Sequence, residues 1–265
     1  MKKGIKIAVS GKGGVGKTTI SALLCQLLMR QGKQVLAVDA DPDANLGMAL
    51  TFPRPVLEAA VTIAQDRQLI KEKTGAEPGS SGQWFMLNPA VEDIPERYIV
   101  EHQGIKLLQM GAVASGGAGC ACPESTLLKV LLNHLIVREQ SAVVVDMEAG
   151  LEHLGRGTAE SVDALLIVIE QGQRSIATAR TIVKLARDLG VMNVYGVVNK
   201  MFDTSLEEIQ RQLPELPLLA GIPFMKEAIT CDYEGAGLYD SLPEIVSTLS
   251  DMLVKLQQTL ATSNE

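Results

Sequence analysis

The chain has 265 residues, of which 46% are hydrophobic and only 3% aromatic, and its formal net charge is −7. These values indicate a folded chain and argue against general DNA binding, which needs lysine and arginine to neutralise phosphates. No run of about 18 apolar residues predicts a membrane span, and the apolar stretch near the N-terminus is too short for a signal peptide. We therefore expect a cytoplasmic protein with neither nucleic-acid nor membrane partners.

Short apolar runs alternate with helical patterns along the chain. The runs predict strands at 5–10, 34–40, 105–111, 141–147, 164–170, 194–200 and 217–223. The helical patterns occupy 18–32, 124–137, 175–190 and 242–260. Because such alternation builds parallel sheets, the sequence predicts an α/β fold with a mostly parallel central sheet and helices on both faces.

Residues 51–104 interrupt this alternation. The glycine-rich stretch 75–83 and the scattered prolines of 87–100 fit neither a regular strand nor a long helix. We interpret 51–104 as an insertion within a single domain spanning 1–265. A lid or a partner surface is the use we expect for it.

The segment SGKGGVGKTT, residues 10–19, follows the first predicted strand and begins the first predicted helix. It matches G-x-x-x-x-G-K-[ST], in which backbone N–H groups and a helix N-terminus surround phosphates. Lys17 is predicted to reach the β- and γ-phosphates, and the Thr18 hydroxyl to ligate Mg²⁺. The predicted ATP/ADP-binding residues are Gly11, Lys12, Gly13, Gly14, Val15, Gly16, Lys17, Thr18 and Thr19. The sequence therefore predicts a P-loop NTPase that hydrolyses ATP to ADP and phosphate with Mg²⁺.

A second lysine, Lys12, lies inside this loop. The form GKGGVGKT resembles the deviant Walker A motif of the family that includes the nitrogenase iron protein, septum-site ATPases and arsenite ATPases. In that family the early lysine crosses a dimer interface to the nucleotide of the other subunit. The resemblance implies a homodimer with ATP between its subunits and a catalytic role for Lys12. A lysine that is simply exposed on the loop is the alternative.

Aspartates follow two of the predicted strands. Phosphoryl transfer needs metal charge near the phosphates and an oriented water molecule. Asp39 and Asp146, at the strand ends, are predicted to hold Mg²⁺, partly through bound water. The family resemblance implies that Asp41, before a proline, is catalytic and orients the attacking water. An aspartate-rich turn that caps a helix is the alternative reading of this segment.

The same resemblance assigns roles to residues after two further strands. In the family, an asparagine at the position of Asn199 lies against the adenine, although a simple turn residue is the alternative here. Glu148 and Gly150 begin a segment that matches switch II of the family. They would sense the γ-phosphate.

Two of the four cysteines, Cys120 and Cys122, lie one residue apart in the glycine-rich segment SGGAGCACPE. Two soft ligands suit Ni²⁺, Zn²⁺ or Cu⁺, but a closed tetrahedral site needs four. A two-fold homodimer would bring two such pairs together and complete a shared metal site. A disulfide, a buried structural pair and an iron–sulfur cluster shared by the dimer are the alternatives. Cys25 and Cys231 are predicted to be structural.

Four segments taken together point to one group within this family. GKGGVGKTT, DADPDANLG, GGAGCACPE and DMEAGLEHLGRGT closely resemble the CooC-type nickel-insertion ATPases, and the similarity runs from Lys3 to about Leu256. The family implies ATP-dependent dimerisation, Ni²⁺ or Zn²⁺ on the paired cysteines, and ATP-driven insertion of nickel into a client. That client is carbon monoxide dehydrogenase or acetyl-CoA synthase.

Two other functions compete with this interpretation. One is an iron–sulfur cluster carrier or reductase of the nitrogenase iron-protein type, whose cysteines usually have other spacings. The other is a positioning or partition ATPase that acts on membrane or DNA. The acidic charge and the absence of a basic tail argue against the second alternative.

Overall fold

In a computed structural model of the chain, residues 4–77, 86, 97–111, 126–127, 130–131, 140–149 and 162–262 are described. The described residues contain a single sheet of eight strands, in the order β3-β4-β2-β5-β1-β6-β7-β8. The strands are β1 (Ile5–Gly11), β2 (Gln34–Asp39), β3 (Ile99–His102), β4 (Ile105–Gln109), β5 (Ser141–Asp146), β6 (Ala164–Ile169), β7 (Val194–Met201) and β8 (Leu218–Pro223). β3 runs antiparallel to β4, and all other neighbours are parallel. The carboxyl ends of seven strands therefore share one edge.

Helices connect these strands. Those with described bounds are α1 (Lys17–Arg30), α2 (Leu46–Ala49), α3 (Arg54–Ala59), α4 (Arg67–Thr74), α5 (Gln173–Asp188), α6 (Leu206–Gln212), α7 (Lys226–Glu234), α8 (Leu238–Ser241) and α9 (Pro243–Thr262), with a 3₁₀ turn at Ile63–Gln65. Residues 126–127 and 130–131 are also helical. Local sequence explains several helix ends. The Ser205 hydroxyl and the Glu208 carboxylate form a capping box at the start of α6, and Gly75 ends α4 in the left-handed conformation.

The core lies on both faces of the sheet. Ile7 and Val9 of β1 pack in one apolar cluster with residues of α1 and α9, whereas Ala8 packs on the other face with residues of α5. Because neighbouring residues of a strand point to opposite faces, a strand buried on both sides is apolar throughout. The α/β fold with a mostly parallel sheet and helices on both faces is thus confirmed. Among the described residues, no helix is long and apolar enough to cross a membrane.

All seven predicted strands are present, and β3 is the strand that the apolar runs did not predict. It lies inside 51–104 and pairs with β4 through a tight hairpin, whose turn residues Gln103 and Gly104 have φ values of 48° and 79°. Two consecutive left-handed residues fit the right-handed twist of a hairpin. The interpretation of 51–104 as an insertion stays a prediction. The described part of it contributes α3, α4 and β3 to the fold.

Candidate nucleotide-binding site

The phosphate loop connects β1 to α1 at the carboxyl edge of the sheet. Gly16 has a φ of 94°, and a Cβ atom there would overlap the Nδ2 atom of Asn199. A Cβ atom on Gly11 would overlap the carbonyl oxygen of Val168. Both positions therefore need glycine, for backbone conformation and for space. The predicted loop between strand and helix is confirmed, with α1 beginning at Lys17.

Two carboxylates lie side by side next to this loop. Asp39 of β2 and Asp146 of β5 occupy paired positions in the sheet, and both are fully buried. Asp146 Oδ1 accepts a hydrogen bond of 3.0 Å from the Ser21 hydroxyl of α1. Within the described residues, Asp146 Oδ2 is buried and has no hydrogen-bond partner. A buried carboxylate oxygen without a partner fits a ligand that the structure does not carry, such as Mg²⁺ or its bound water.

Asp39 differs from Asp146 because both of its carboxylate oxygens are engaged. They accept hydrogen bonds from the backbone N–H of Leu46 at 2.9 Å and of Asp41 at 3.3 Å. The side chain thereby shapes the loop that leads from β2 into α2. Its predicted contact with Mg²⁺-bound water stays a prediction.

Burial governs the ionisation of this carboxylate pair. Desolvation raises the pKa of Asp39 to about 7, although the backbone N–H of Leu46 opposes the shift. Desolvation also raises the pKa of Asp146 to about 6, against the hydroxyl groups of Thr18 and Ser21 and the charge of Lys17. A bound Mg²⁺ ion would favour the ionised carboxylates and would neutralise phosphate charge at this edge.

The side chains of Lys17 and Asp41 face each other next to the phosphate loop. The Lys17 ammonium, which is 8% exposed, lies 3.9 Å from Asp41 Oδ2. The other carboxylate oxygen of Asp41 accepts a hydrogen bond of 3.1 Å from the Asp43 N–H. The structure therefore brings Asp41 to the phosphate loop, as its predicted role requires. The position of Asn45, immediately before α2, places it in the same loop.

Asn199 lies beneath the phosphate loop. It is buried, and its Nδ2 donates a hydrogen bond of 2.9 Å to the Val15 carbonyl. The predicted contact with adenine stays a prediction, and the structure adds a contact to the loop itself.

Two contacts of the loop were not predicted from the sequence. The Lys200 ammonium donates to the Gly14 carbonyl at 2.5 Å, and the Ser10 hydroxyl donates to the Glu148 carbonyl at 2.7 Å. The second contact joins the residue before Gly11 to the start of the segment that resembles switch II. Serine next to a glycine-rich loop gives no sequence signal for such a distant carbonyl partner.

For the remaining predicted site residues, the structure gives the exposure of some and does not describe others. Lys12, Gly13 and Gly14 are exposed, and Thr18 and Thr19 are half-buried. Cys120, Cys122 and Gly150 lie outside the described residues. Cys25 and Cys231 are buried, as a structural role requires, and burial raises the pKa of the Cys25 thiol. In the part of the chain that the structure describes, no group of three or more His, Cys, Asp or Glu side chains could hold a metal ion.

A glycine-rich loop between β1 and α1, with buried aspartates at the ends of the neighbouring strands, defines a P-loop nucleoside triphosphatase. A sequence model of the CbiA family, described as the CobQ/CobB/MinD/ParA nucleotide binding domain, matches residues 6–238. The chain belongs to this family. The family is a nucleotide-binding domain, and the predicted ATPase class is confirmed.

Individual relatives agree with the family assignment. The chain is 46% identical over 240 residues to the carbon monoxide dehydrogenase accessory protein CooC of Rhodospirillum rubrum, covering 90% of this chain and 91% of the relative. It is 38% identical to an uncharacterized ATP-binding protein of Methanocaldococcus jannaschii, covering 96% and 100% of the two chains. The resemblance predicted from the four segments is thus confirmed.

A solved structure shares the fold. The septum site-determining protein MinD of Pyrococcus horikoshii, in complex with Mg-ADP, superposes with a TM-score of 0.64 at 18% identity. The match covers 98% of this chain and 96% of that chain. At this identity the likeness supports the fold alone.

Proposed function

We propose that this ATPase is a metallochaperone that inserts nickel into carbon monoxide dehydrogenase or acetyl-CoA synthase. The observation that carries the proposal is the 46% identity to a carbon monoxide dehydrogenase accessory protein over nine-tenths of both chains. A nucleotide site with a buried carboxylate oxygen that has no hydrogen-bond partner among the described residues supports the ATP-dependent part of the activity. Nickel is the cargo in this proposal, and ATP hydrolysis supplies the directionality.

The proposed cargo site consists of Cys120 and Cys122 from each of two chains, which together hold one Ni²⁺ or Zn²⁺ ion. Thiolates are the ligands that such ions favour, and two pairs satisfy a four-coordinate site. The other two cysteines are less suitable as metal ligands because both are buried. Cys25 is fully buried in α1, and Cys231 is 7% exposed in α7.

The proposed cycle joins ATP binding to dimerisation. Lys12 is exposed on the phosphate loop, where a second subunit can approach it. The hydrogen bond from Ser10 to the Glu148 carbonyl gives the loop a direct connection to the segment after β5. Through this connection, loss of the γ-phosphate would alter the dimer and release the metal to the client.

Transfer of nickel to an apo client tests the proposal. Nickel-loaded protein with Mg-ATP is mixed anaerobically with nickel-free carbon monoxide dehydrogenase or acetyl-CoA synthase, and the recovered client activity is measured. We expect recovery with the wild-type chain and with Cys231→Ala, and none with Cys120→Ala/Cys122→Ala. Equal recovery with the double variant, or without ATP, would contradict the proposal. An iron-dependent visible absorption band in the anaerobically purified protein would instead support an iron–sulfur carrier.

A further inference from the structure

Strand β7 is irregular where it passes the phosphate loop. Its register with β8 shifts between Val198 and Met201. Lys200 has a backbone φ of 54°, a value that residues other than glycine rarely adopt. Consecutive residues of a regular strand point to opposite faces. Here the irregularity changes that direction, and the side chains of Asn199 and Lys200 both reach the phosphate loop. Bulges next to active sites re-aim side chains in this way.

Both side chains donate to carbonyl groups of consecutive loop residues. Lys200 Nζ lies 2.5 Å from the Gly14 oxygen, and Asn199 Nδ2 lies 2.9 Å from the Val15 oxygen. A trans peptide directs its carbonyl and its N–H to opposite sides. These two bonds therefore turn the N–H groups of Val15 and Gly16 away from β7, and the Val15 N–H donates a hydrogen bond of 3.4 Å to the Lys12 carbonyl within the loop. N–H groups of such loops are the ligands of phosphate oxygens.

The Lys200 ammonium is itself held by a second partner. Glu170, the residue after β6, places its Oε1 atom 2.9 Å from Lys200 Nζ. The Glu170 N–H donates to the Ser175 hydroxyl of α5 at 2.9 Å, which fixes its backbone. Because both side chains are more than one-third exposed, the ion pair contributes little to stability by itself. The ion pair instead orients the Lys200 ammonium toward the Gly14 carbonyl.

We infer that Lys200 is a positioning residue for the phosphate loop and that Glu170 aligns it. Lys200 acts on the bound nucleotide through the Gly14 carbonyl, without touching the phosphates. Removal of the ammonium leaves the peptide plane between Gly14 and Val15 held by the hydrogen bond from the Val15 N–H to the Lys12 carbonyl alone of these two bonds, which loosens the loop and weakens phosphate binding. The inference rests on nucleotide binding by the loop and is independent of the metal cargo.

Calorimetric titration with Mg-ADP tests this role. We expect Lys200→Met to raise Kd about tenfold, which corresponds to about 1.4 kcal/mol. Lys200→Arg should recover most of the affinity, because it keeps a charged donor. Glu170→Gln should raise Kd about threefold, and the double variant should bind no more weakly than Lys200→Met, since Glu170 acts through Lys200. Lys184→Met, at an exposed lysine of α5, should bind like the wild type.

ATPase kinetics and unfolding separate positioning from folding and from catalysis. We expect KM for ATP to rise in Lys200→Met with little change in kcat, and the Tm without nucleotide to stay close to that of the wild type. An unchanged Kd in Lys200→Met, or strictly additive effects in the double variant, would overturn the inference. If Lys200→Met does not fold, an unchanged Kd in Glu170→Gln overturns it. A wild-type chain that binds no Mg-ADP would contradict the proposed function instead.

Discussion

At the carboxyl edge of the sheet, two neighbouring aspartates differ in the hydrogen bonds that their carboxylates accept. Asp39 and Asp146 are neighbours in the sheet and equally buried, but they differ in their hydrogen bonds. Asp39 uses both oxygens to hold the loop before α2. Asp146 keeps one oxygen without a partner among the described residues. Asp39 therefore shapes the loop before α2, and Asp146 keeps an oxygen that its predicted role as a magnesium ligand would use.

The raised pKa of Asp39 predicts how stability depends on pH. Burial raises this pKa from 3.8 to about 7. Between these values the folded chain retains a proton that the unfolded chain has lost, so the free energy of unfolding falls as pH rises. Asp39→Asn removes this contribution. Urea unfolding of the nucleotide-free protein at a series of pH values should show a shallower fall for Asp39→Asn than for the wild type.

The matched control is Asp188→Asn, at an exposed aspartate of α5, which should keep the wild-type pH dependence. A pH slope in Asp39→Asn equal to that of the wild type would show that the Asp39 carboxyl does not retain its proton on folding.

Among the structural elements, a hydrogen bond between two side chains connects the start of α4 to the residue before β3. Asp66 caps α4 by accepting a hydrogen bond of 2.8 Å from the Leu69 N–H. The Tyr98 hydroxyl, one residue before β3, donates to the other oxygen of Asp66 at 2.5 Å. This bond is the largest cause of a lowered pKa at Asp66, and burial together with the same carboxylate raises the pKa of Tyr98 to about 12.

Removal of this hydroxyl should destabilise the protein measurably. Because a hydrogen bond to a charged group stabilises a fold by about 1.5–3 kcal/mol, Tyr98→Phe should lower the free energy of unfolding by about that amount. Urea unfolding at neutral pH measures the change. Tyr233→Phe, at a tyrosine that is 91% exposed, is the control and should change stability by less than about 0.5 kcal/mol. Equal stability of Tyr98→Phe and the wild type would mean that the contact does not hold α4 in solution.

Sequence patterns predicted those elements whose signals are local. The buried strands and α1 follow from apolar runs and from the loop motif that precedes Lys17. The four-residue strand β3 is too short and too polar at Glu101 to give a strong signal, and only the Gln103–Gly104 turn marks it. The site shows the same limit. Lys200 reaches the phosphate loop because β7 shifts its register against β8, and no pattern within β7 reveals a register with a later strand.

For the molecule as a whole, the proposal requires that one subunit completes the nucleotide site of another. The exposure of Lys12, against the burial of Lys17, agrees with this arrangement. A residue supplied across an interface changes activity without changing the fold of its own chain. The proposed role of Lys12 is therefore separable from stability.

Mixing two inactive variants tests this role. Lys12→Gln should lower ATP hydrolysis by at least about 100-fold, because it removes a charge that would stabilise the transition state. Lys17→Ala should also be inactive, because its own loop no longer holds the phosphates. When the two are mixed, the Lys17→Ala chain supplies Lys12 to the intact loop of its partner, and part of the activity should return. Steady-state phosphate release measures all three samples.

Lys255→Gln, at an exposed lysine of α9, is the matched control and should hydrolyse ATP like the wild type. Wild-type hydrolysis by Lys12→Gln, or a mixture as inactive as its components, would exclude a role for Lys12 across the interface.

In the proposed cycle, two chains share one metal ion on four cysteine thiolates, and nucleotide binding promotes their association. Anaerobic titration with Ni²⁺ or Zn²⁺, combined with measurement of molecular mass with and without ADP or ATP, tests it most directly. We expect one metal ion per dimer and a dimer fraction that rises with metal and with nucleotide. We expect neither metal binding nor metal-linked dimerisation in Cys120→Ala/Cys122→Ala, whereas Cys231→Ala should behave as the wild type. One metal ion per monomer, or unchanged metal binding in the double variant, would exclude a metal site shared between two chains.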